Sequence, residues 1–130
     1  MRPVFALFLS AALAIGCDAT GTDRPLDFGD PYGLNINDQR PALYVAGGRI
    51  SVPVAYSGGC AEHTFTLRSD VSGDHATVWL VHDDGGDTCE AYISEQIEAT
   101  LSAAVDAAER ITLRAPAQFD RDEETTVRLR

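Results

Sequence analysis

Residues 57–90 read SGGCAEHTFTLRSDVSGDHATVWLVHDDGGDTCE and contain the strongest strand signals of the chain. Polar and apolar side chains alternate over residues 62–68, and residues 76–82 are mainly apolar around a central Trp79. Alternation with a period of two predicts β-strands, and the Gly-, Ser- and Asp-rich stretches 69–74 and 83–88 predict turns. The stretch therefore predicts two strands, with Cys and His residues at their ends.

Strand patterns continue on the N-terminal side of this stretch. Residues 43–46 form a short apolar run, and Gly47-Gly48 is a hairpin signal. Residues 49–56 then alternate with Ile, Val, Val and Tyr on one face. Pro53 lies within this run, and proline is found in sheets mainly on edge strands or at bulges, so we expect an edge position or a bulge here.

The C-terminal third is ambiguous between helix and strand at first sight. Residues 90–110 contain good helix formers, but apolar side chains occupy every second position from 89 to 101, interrupted only by Glu95. We therefore predict a strand to Thr100, then a short turn or a single helical turn over residues 102–108. The pairs Ile111 and Leu113, then Val127 and Leu129, predict a closing hairpin.

About seven short strands separated by turns predict an all-β fold, a small antiparallel β-sandwich over residues 41–130. Residues 17–40 contain Gly, Asp, Pro and Asn with scattered apolar residues, and this composition predicts an irregular tether. Within it, residues 33–38 have the pattern of a short edge strand.

Residues 1–16 have the pattern of a signal peptide. A positive Arg2 precedes an apolar run from Val4 to Ile15, and Ala14 and Gly16 are small residues at the positions that a signal peptidase reads. This run of twelve residues, apolar except for Ser10, is too short to span a bilayer as a stable helix, so export is predicted rather than a transmembrane segment.

The sequence Ala14-Ile15-Gly16-Cys17 resembles the lipobox of bacterial lipoprotein precursors, although the first position is usually Leu. The resemblance implies diacylglycerol on the Cys17 sulfur, cleavage before Cys17 and acylation of the new amino terminus with a fatty acid such as palmitate. Two or three acyl chains would anchor the protein stably in a membrane. The alternative is ordinary cleavage at the same site, which would leave a secreted protein with a free Cys17.

The cysteine count fits this interpretation. There are three cysteines, and an odd number in an exported protein needs an explanation. If Cys17 carries lipid, Cys60 and Cys89 remain as a pair in an oxidising compartment, where disulfides persist. Strand parity places both on a core face, so we predict a disulfide inside the sandwich that stabilises the fold by roughly 3–4 kcal/mol.

A metal site is the alternative use of the same residues. Cys60, His63, His82 and Cys89 form a possible Cys2His2 set for zinc or copper, although their spacing matches no common zinc motif. Cys60 and His63 also point to opposite faces of a regular strand, unless the chain bends at Gly59. Without a metal, each histidine is predicted to be partly buried and hydrogen-bonded to a carbonyl or to Asp83.

The acidic turn offers a second, weaker metal alternative. Asp83, Asp84, Asp87 and Glu90 could hold Ca²⁺ weakly, but they lack the spacing of a calcium-binding loop. A hairpin turn with solvated carboxylates is the favoured interpretation.

Charge and motifs restrict the function. The basic residues are all arginine, and removal of Arg2 with the signal leaves nine of the ten against twenty acidic residues, a net charge of −11. Such a charge opposes binding to nucleic acid. The chain has no nucleophile elbow, no His-Glu-x-x-His motif and no phosphate-binding glycine loop, so no enzymatic activity is predicted.

A second pattern, GGCxxHxFxL followed by HxxxGDxCE, resembles one found in small bacterial lipoproteins that carry no assigned activity. The sequence therefore predicts a protein anchored in the membrane of the cell envelope through Cys17, with its domain in the periplasm or outside the cell. Its predicted role is structural or binding, without a cofactor. The alternative is a periplasmic zinc or copper protein.

Overall fold

The computed structural model describes residues 25–117 and 120–130. The predicted signal peptide, the predicted lipidation site Cys17 and the tether up to residue 24 lie outside the described residues. Within the part that is described, no helix is long and apolar enough to cross a membrane.

Eight strands and one short helix make up the described chain. In chain order they are β1 (Gly33–Leu34), β2 (Leu43–Val45), β3 (Arg49–Gly58), β4 (Thr64–Ser72), β5 (His75–Asp83), β6 (Ala91–Thr100), α1 (Ala103–Asp106), β7 (Arg110–Ala117) and β8 (Asp120–Arg128).

The strands form two four-stranded sheets. In the first sheet, β3 pairs with β6 along one side and with β1 and β2, one after the other, along the opposite side. The second sheet has the order β4-β5-β7-β8, with a parallel pair between β5 and β7 and antiparallel pairs elsewhere. The predicted all-β, sandwich-like fold is confirmed.

The core contains the apolar faces of both sheets. On β5, for example, burial alternates so that the even-numbered residues from Ala76 to His82 face inward. The buried cluster contains Phe28, Tyr32, Ile50, Val52, Val54, Tyr56, Ala76, Val78, Leu80, Leu101, Val105, Ala108, Ile111, Leu113 and Ala115.

The ambiguous region forms the predicted strand and the predicted single helical turn. Strand β6 ends at Thr100, and α1 begins after Ser102, whose hydroxyl accepts a hydrogen bond from the Val105 amide. The side chain of Val105 is then buried. The apolar alternation of this region therefore outweighed its content of helix-forming residues.

Pro53 lies in an interior strand, so the expected edge position is wrong. The carbonyl of Pro53 accepts a hydrogen bond of 3.0 Å from the Asn35 amide, just beyond the end of β1. The Pro53 nitrogen points to the same side of the strand, into the gap between β1 and β2. A residue without an N–H is tolerated there because no strand partner requires that donor.

Residues 25–40 contribute to the packed domain, which therefore extends further toward the N-terminus than the predicted start at residue 41. Phe28 and Tyr32 are buried, and β1 lies within the expected edge strand. The Tyr32 hydroxyl donates a hydrogen bond of 2.8 Å to the Leu80 carbonyl on β5. Strand β7 pairs with β5 only up to Val78, so this segment covers the rest of β5. Isolated aromatic residues among Gly, Asp and Pro have no periodicity, so the burial of this segment could not be predicted from the sequence.

We predict that Tyr32→Ala lowers the free energy of unfolding by about 3–5 kcal/mol, because it removes a fully buried aromatic side chain. Ile36→Ala, at a residue 42% exposed in the same segment, is the control and should stay within about 0.5 kcal/mol of the wild type. Chemical denaturation measures both. Equal, small effects would mean that residues 25–40 are a tether after all.

Candidate functional site

The predicted site residues converge at one end of the sandwich. The 59–63 loop joins β3 to β4, and the 84–90 loop joins β5 to β6. Cys60 and His63 lie on the first loop, Cys89 lies on the second, and His82 is near the end of β5. We call the Cys60–Cys89 disulfide together with Asp87, His63 and His82 the loop clamp.

The predicted disulfide between Cys60 and Cys89 is present. The two Cα atoms are 5.8 Å apart and the residues are 29 positions apart in the sequence. However, Cys60 is exposed and Cys89 only half-buried, so the expectation of a bridge inside the sandwich is wrong. Both cysteines lie beyond the ends of β3 and β6, where strand parity no longer fixes the direction of a side chain.

The Asp87 carboxylate joins the two loops by hydrogen bonds. Its Oδ2 atom accepts the backbone N–H groups of Gly59, Cys60 and Ala61 at 2.8, 2.8 and 2.9 Å. The same oxygen lies 3.0 Å from His63 Nε2, and Oδ1 accepts the Cys89 N–H at 2.8 Å. The backbone amides of both bridged cysteines are therefore bound to a single carboxylate.

Gly58 makes room for this arrangement. A Cβ atom at position 58 would lie 2.3 Å from His63 Nε2 and 3.1 Å from Asp87 Oδ2. Such contacts are far inside van der Waals distance, so a side chain here would push the imidazole away from the carboxylate. The glycine at the end of β3 is needed for its lack of a side chain.

The two histidines are hydrogen-bonded to each other. His63 Nδ1 lies 2.9 Å from His82 Nε2, and the ring planes differ by only 19°. His82 Nδ1 lies 3.2 Å from the Asp30 carbonyl oxygen. A continuous row of contacts thus runs from Asp87 through both imidazoles to the backbone of residue 30.

Aromatic rings cover the faces of this pair. Tyr56 of β3 stacks on His63 and Phe65 of β4 stacks on His82, each with a centroid separation of 4.4 Å. The Tyr56 hydroxyl donates a hydrogen bond of 2.9 Å to Glu95 of β6, which explains the one acidic residue in the apolar alternation of that strand. Burial, reinforced by Glu95, raises the pKa of Tyr56 to about 12, so the phenol stays neutral.

The surroundings shift the pKa values of Asp87 and His82. The Cys89 N–H, followed by His63 and the other amides, holds the pKa of the Asp87 carboxyl well below its usual range. Burial lowers the pKa of His82, against the opposing effect of the Asp30 carbonyl. The side chains of His63 and Asp87 are 3% and 0% exposed, so their contact is shielded from solvent.

The N-terminal segment closes the site on its remaining side. Gly29 forms a parallel bridge with His82, and the Asp30 amide donates a hydrogen bond of 2.8 Å to the His82 carbonyl. A Cβ atom on Gly29 would lie 2.0 Å from that carbonyl oxygen, and its φ of +72° also favours glycine. Residues 28–30 are therefore a structural part of the site.

The acidic turn is organised by local hydrogen bonds. The carboxylates of Asp83, Asp84 and Asp87 each accept the N–H two residues on, from Gly85, Gly86 and Cys89. This is the Asx-turn pattern, and it accounts for the repeated Asp in the loop. The carboxylate oxygens of Asp83 and Asp84 lie close to a carboxylate oxygen of Asp30. This proximity of Asp30 was not predicted from the sequence.

The surface of the described part of the chain has a cavity beside the loop clamp and another between β1 and the β7–β8 hairpin. One, of about 290 Å³, lies beside the loop clamp and is lined by Pro31, Ser57, His82, Asp84, Asp87, Thr88, Cys89 and Glu90. The other, of about 230 Å³, is lined by Leu34, Ile36, Pro116, Ala117, Thr125 and Val127. The first is bordered by the 84–90 loop of the clamp, by Ser57 and His82 near the ends of β3 and β5, and by Pro31 of the N-terminal segment.

Four of the five clamp residues were predicted from the sequence, but the role of Asp87 was not. Asp87 was predicted only as a possible weak calcium ligand. The Asp87-Thr88-Cys89 sequence is a local signal that could have predicted the Asx turn, in which the Asp87 carboxylate accepts the Cys89 N–H. The contact with three amides of the 59–63 loop depends on the approach of two loops distant in sequence, and no local pattern encodes it.

The chemistry of the site follows from these contacts. All four ring nitrogens of His63 and His82 lie within hydrogen-bonding distance of partners inside the protein. Both sulfurs are in the disulfide. The arrangement can therefore hold the two loops together. Comparison of the chain with protein-family models, curated proteins and solved structures finds no match.

We predict that Asp87→Asn lowers the free energy of unfolding near neutral pH, because an amide cannot replace both oxygens of a carboxylate that accepts five hydrogen bonds. Asp70→Asn, which removes the same charge from an exposed position on β4, is the matched control and should change stability by less than about 0.5 kcal/mol.

The stability difference between the wild type and Asp87→Asn is also expected to depend on pH in a definite direction. Because the pKa of Asp87 is lowered in the folded protein, its stabilising effect is complete above its ordinary value of 3.8 and decreases as the pH falls below it. The difference between wild type and Asp87→Asn should narrow in acid, as urea denaturation from pH 7 to pH 2 would measure. A difference that is absent at pH 7 would contradict the assigned role of Asp87.

Proposed function

We propose that this chain is a lipid-anchored, non-catalytic module of the bacterial cell envelope, with a binding or structural role. The observation that carries the proposal is that the chemically reactive side chains of the site are used within the protein. Cysteine, histidine and aspartate converge as they do in many active sites, but here they bind one another and fix two loops.

The disulfide supports the cellular location. Disulfides form and persist in exported proteins and are rare in the cytosol of ordinary bacteria. With Cys60 and Cys89 paired, Cys17 is the third cysteine, and its lipobox-like context provides a use for it. A lipid on Cys17 would place the domain at a membrane surface, connected through the residues before Leu26.

A binding role is favoured for the end of the sandwich that carries the loop clamp. Binding residues lie disproportionately on loops that a rigid scaffold positions. Here the 59–63 and 84–90 loops are joined by a covalent bond and by the Asp87 hydrogen bonds, and the 84–90 loop borders the cavity of about 290 Å³. We propose that ligand contacts are made in this cavity.

The zinc or copper alternative uses the same residues differently. Metal ligation by Cys60 and Cys89 requires two thiolates, and the bridged sulfurs cannot supply them. His63 and His82 would also have to give up their contacts with Asp87, with each other and with Asp30. The bridged form therefore supports the binding or structural role over the metal-binding role.

We predict that the full chain, expressed in a bacterial host, incorporates labelled fatty acid and partitions with the membrane fraction. Cys17→Ser should abolish both, because the lipid is attached to the Cys17 sulfur. The double variant Cys60→Ser/Cys89→Ser is the control for cysteine loss and should retain the label. Intact mass of the same wild-type preparation under native conditions should show the bridge and no bound metal.

Two results would contradict the proposal. An unlabelled, freely secreted wild-type protein would establish ordinary signal cleavage. Free Cys60 and Cys89 thiols accompanied by the mass of a zinc or copper ion would establish the metal-binding alternative.

A further inference from the structure

The row of hydrogen bonds through the loop clamp determines how many ring hydrogens His63 and His82 carry together. It contains three contacts: Asp87 Oδ2 to His63 Nε2 at 3.0 Å, His63 Nδ1 to His82 Nε2 at 2.9 Å, and His82 Nδ1 to the Asp30 carbonyl at 3.2 Å. Each contact needs one hydrogen between its two atoms. Without it, two lone pairs would face each other at that distance.

The two ends of the row cannot supply hydrogens. The carbonyl oxygen of Asp30 is only an acceptor, so His82 Nδ1 carries a hydrogen. Asp87 Oδ2 already accepts three backbone N–H groups, which favours the ionised carboxylate, so His63 Nε2 carries a hydrogen as well. The central contact requires a third hydrogen, on one of the two facing nitrogens.

Three hydrogens exceed what two neutral imidazoles carry, which is one each. The pair therefore bears a single positive charge, and the Asp87 carboxylate balances it. Both side chains of this ion pair are almost completely shielded from solvent, so an unbalanced charge here would be costly. The Tyr56 ring stacks on His63 and stabilises the cationic imidazole by a cation–π interaction.

We propose that His63 and His82 act as one proton-binding pair that keeps the loop clamp closed by holding a single extra proton. With a second extra proton, two N–H groups would point at each other across 2.9 Å. With none, one of the three contacts would lose its hydrogen and the buried Asp87 charge would lose its counter-charge. The clamp is therefore closed when the pair holds one extra proton, and it weakens when the pair gains a second one or loses the first. This pH-sensitive device does not depend on the membrane anchor.

Other ionisable groups face the pair from each neighbouring element. Asp30 lies on the N-terminal segment, and Asp84 and Asp87 lie on the 84–90 loop. Tyr56 of β3 stays neutral, with Glu95 of β6 behind its hydroxyl. Tyr32 stays neutral because burial raises its pKa. Among these groups, Asp87 contacts a ring nitrogen directly and acts as the counter-charge.

The number of ring hydrogens is directly measurable by NMR of the oxidised protein labelled with ¹⁵N-histidine. Nitrogen chemical shifts distinguish protonated from unprotonated ring positions. Near pH 7 we expect three of the four nitrogens of His63 and His82 to be protonated, with one further hydrogen gained in acid and one lost in alkali. His75, at the opposite end of β5 and hydrogen-bonded to Thr112 rather than to another histidine, is the internal reference for the nitrogen shifts.

The variant Asp87→Asn removes the balancing charge and is expected to reduce the count near pH 7 from three hydrogens to two. If this variant does not fold, the wild-type count decides alone. Two or four hydrogens in the wild type near pH 7, or independent titration of His63 and His82, would overturn the proposal.

Discussion

The burial of one carboxylate determines the structure of the loop end. Removing an ionised Asp87 from water is costly unless donors replace the lost hydration. Four backbone N–H groups and one imidazole do so, and they come from the 59–63 loop and the 84–90 loop. The need to satisfy this one charge therefore fixes the paths of the 59–63 and 84–90 loops, and with them the positions of Cys60 and Cys89.

The disulfide and the hydrogen bonds act on the same loops in different ways. The bridge stabilises chiefly by restricting the unfolded chain, whereas the Asp87 contacts act only in the folded state. The same carboxylate also gives the histidine pair its counter-charge, so the proton content of the pair depends on loop geometry. A loop end held in this way is suited to presenting a binding surface, which is the role that we propose for it.

The strands could be predicted because their signals are local. Alternation identified β3 to β6, and the parity of residues 89–101 correctly outweighed the helix propensity around Glu95. Burial of Phe28 and Tyr32, the interior place of Pro53 and the five contacts of Asp87 could not be predicted. Each depends on segments far apart in sequence, brought together by the completed sandwich. The disulfide was predicted from cysteine count and compartment, and its exposed position was missed because parity fails beyond strand ends.

The most direct measurement of the central claim is amide hydrogen exchange of the oxidised wild-type protein. If the Asp87 carboxylate holds the 59–63 loop, the amides of Gly59, Cys60 and Ala61 will exchange slowly, at rates like those of the β3–β6 ladder. Exchange of these three amides at the rate of an unstructured chain, while the ladder remains protected, would contradict the account. The disulfide alone would then connect the loops.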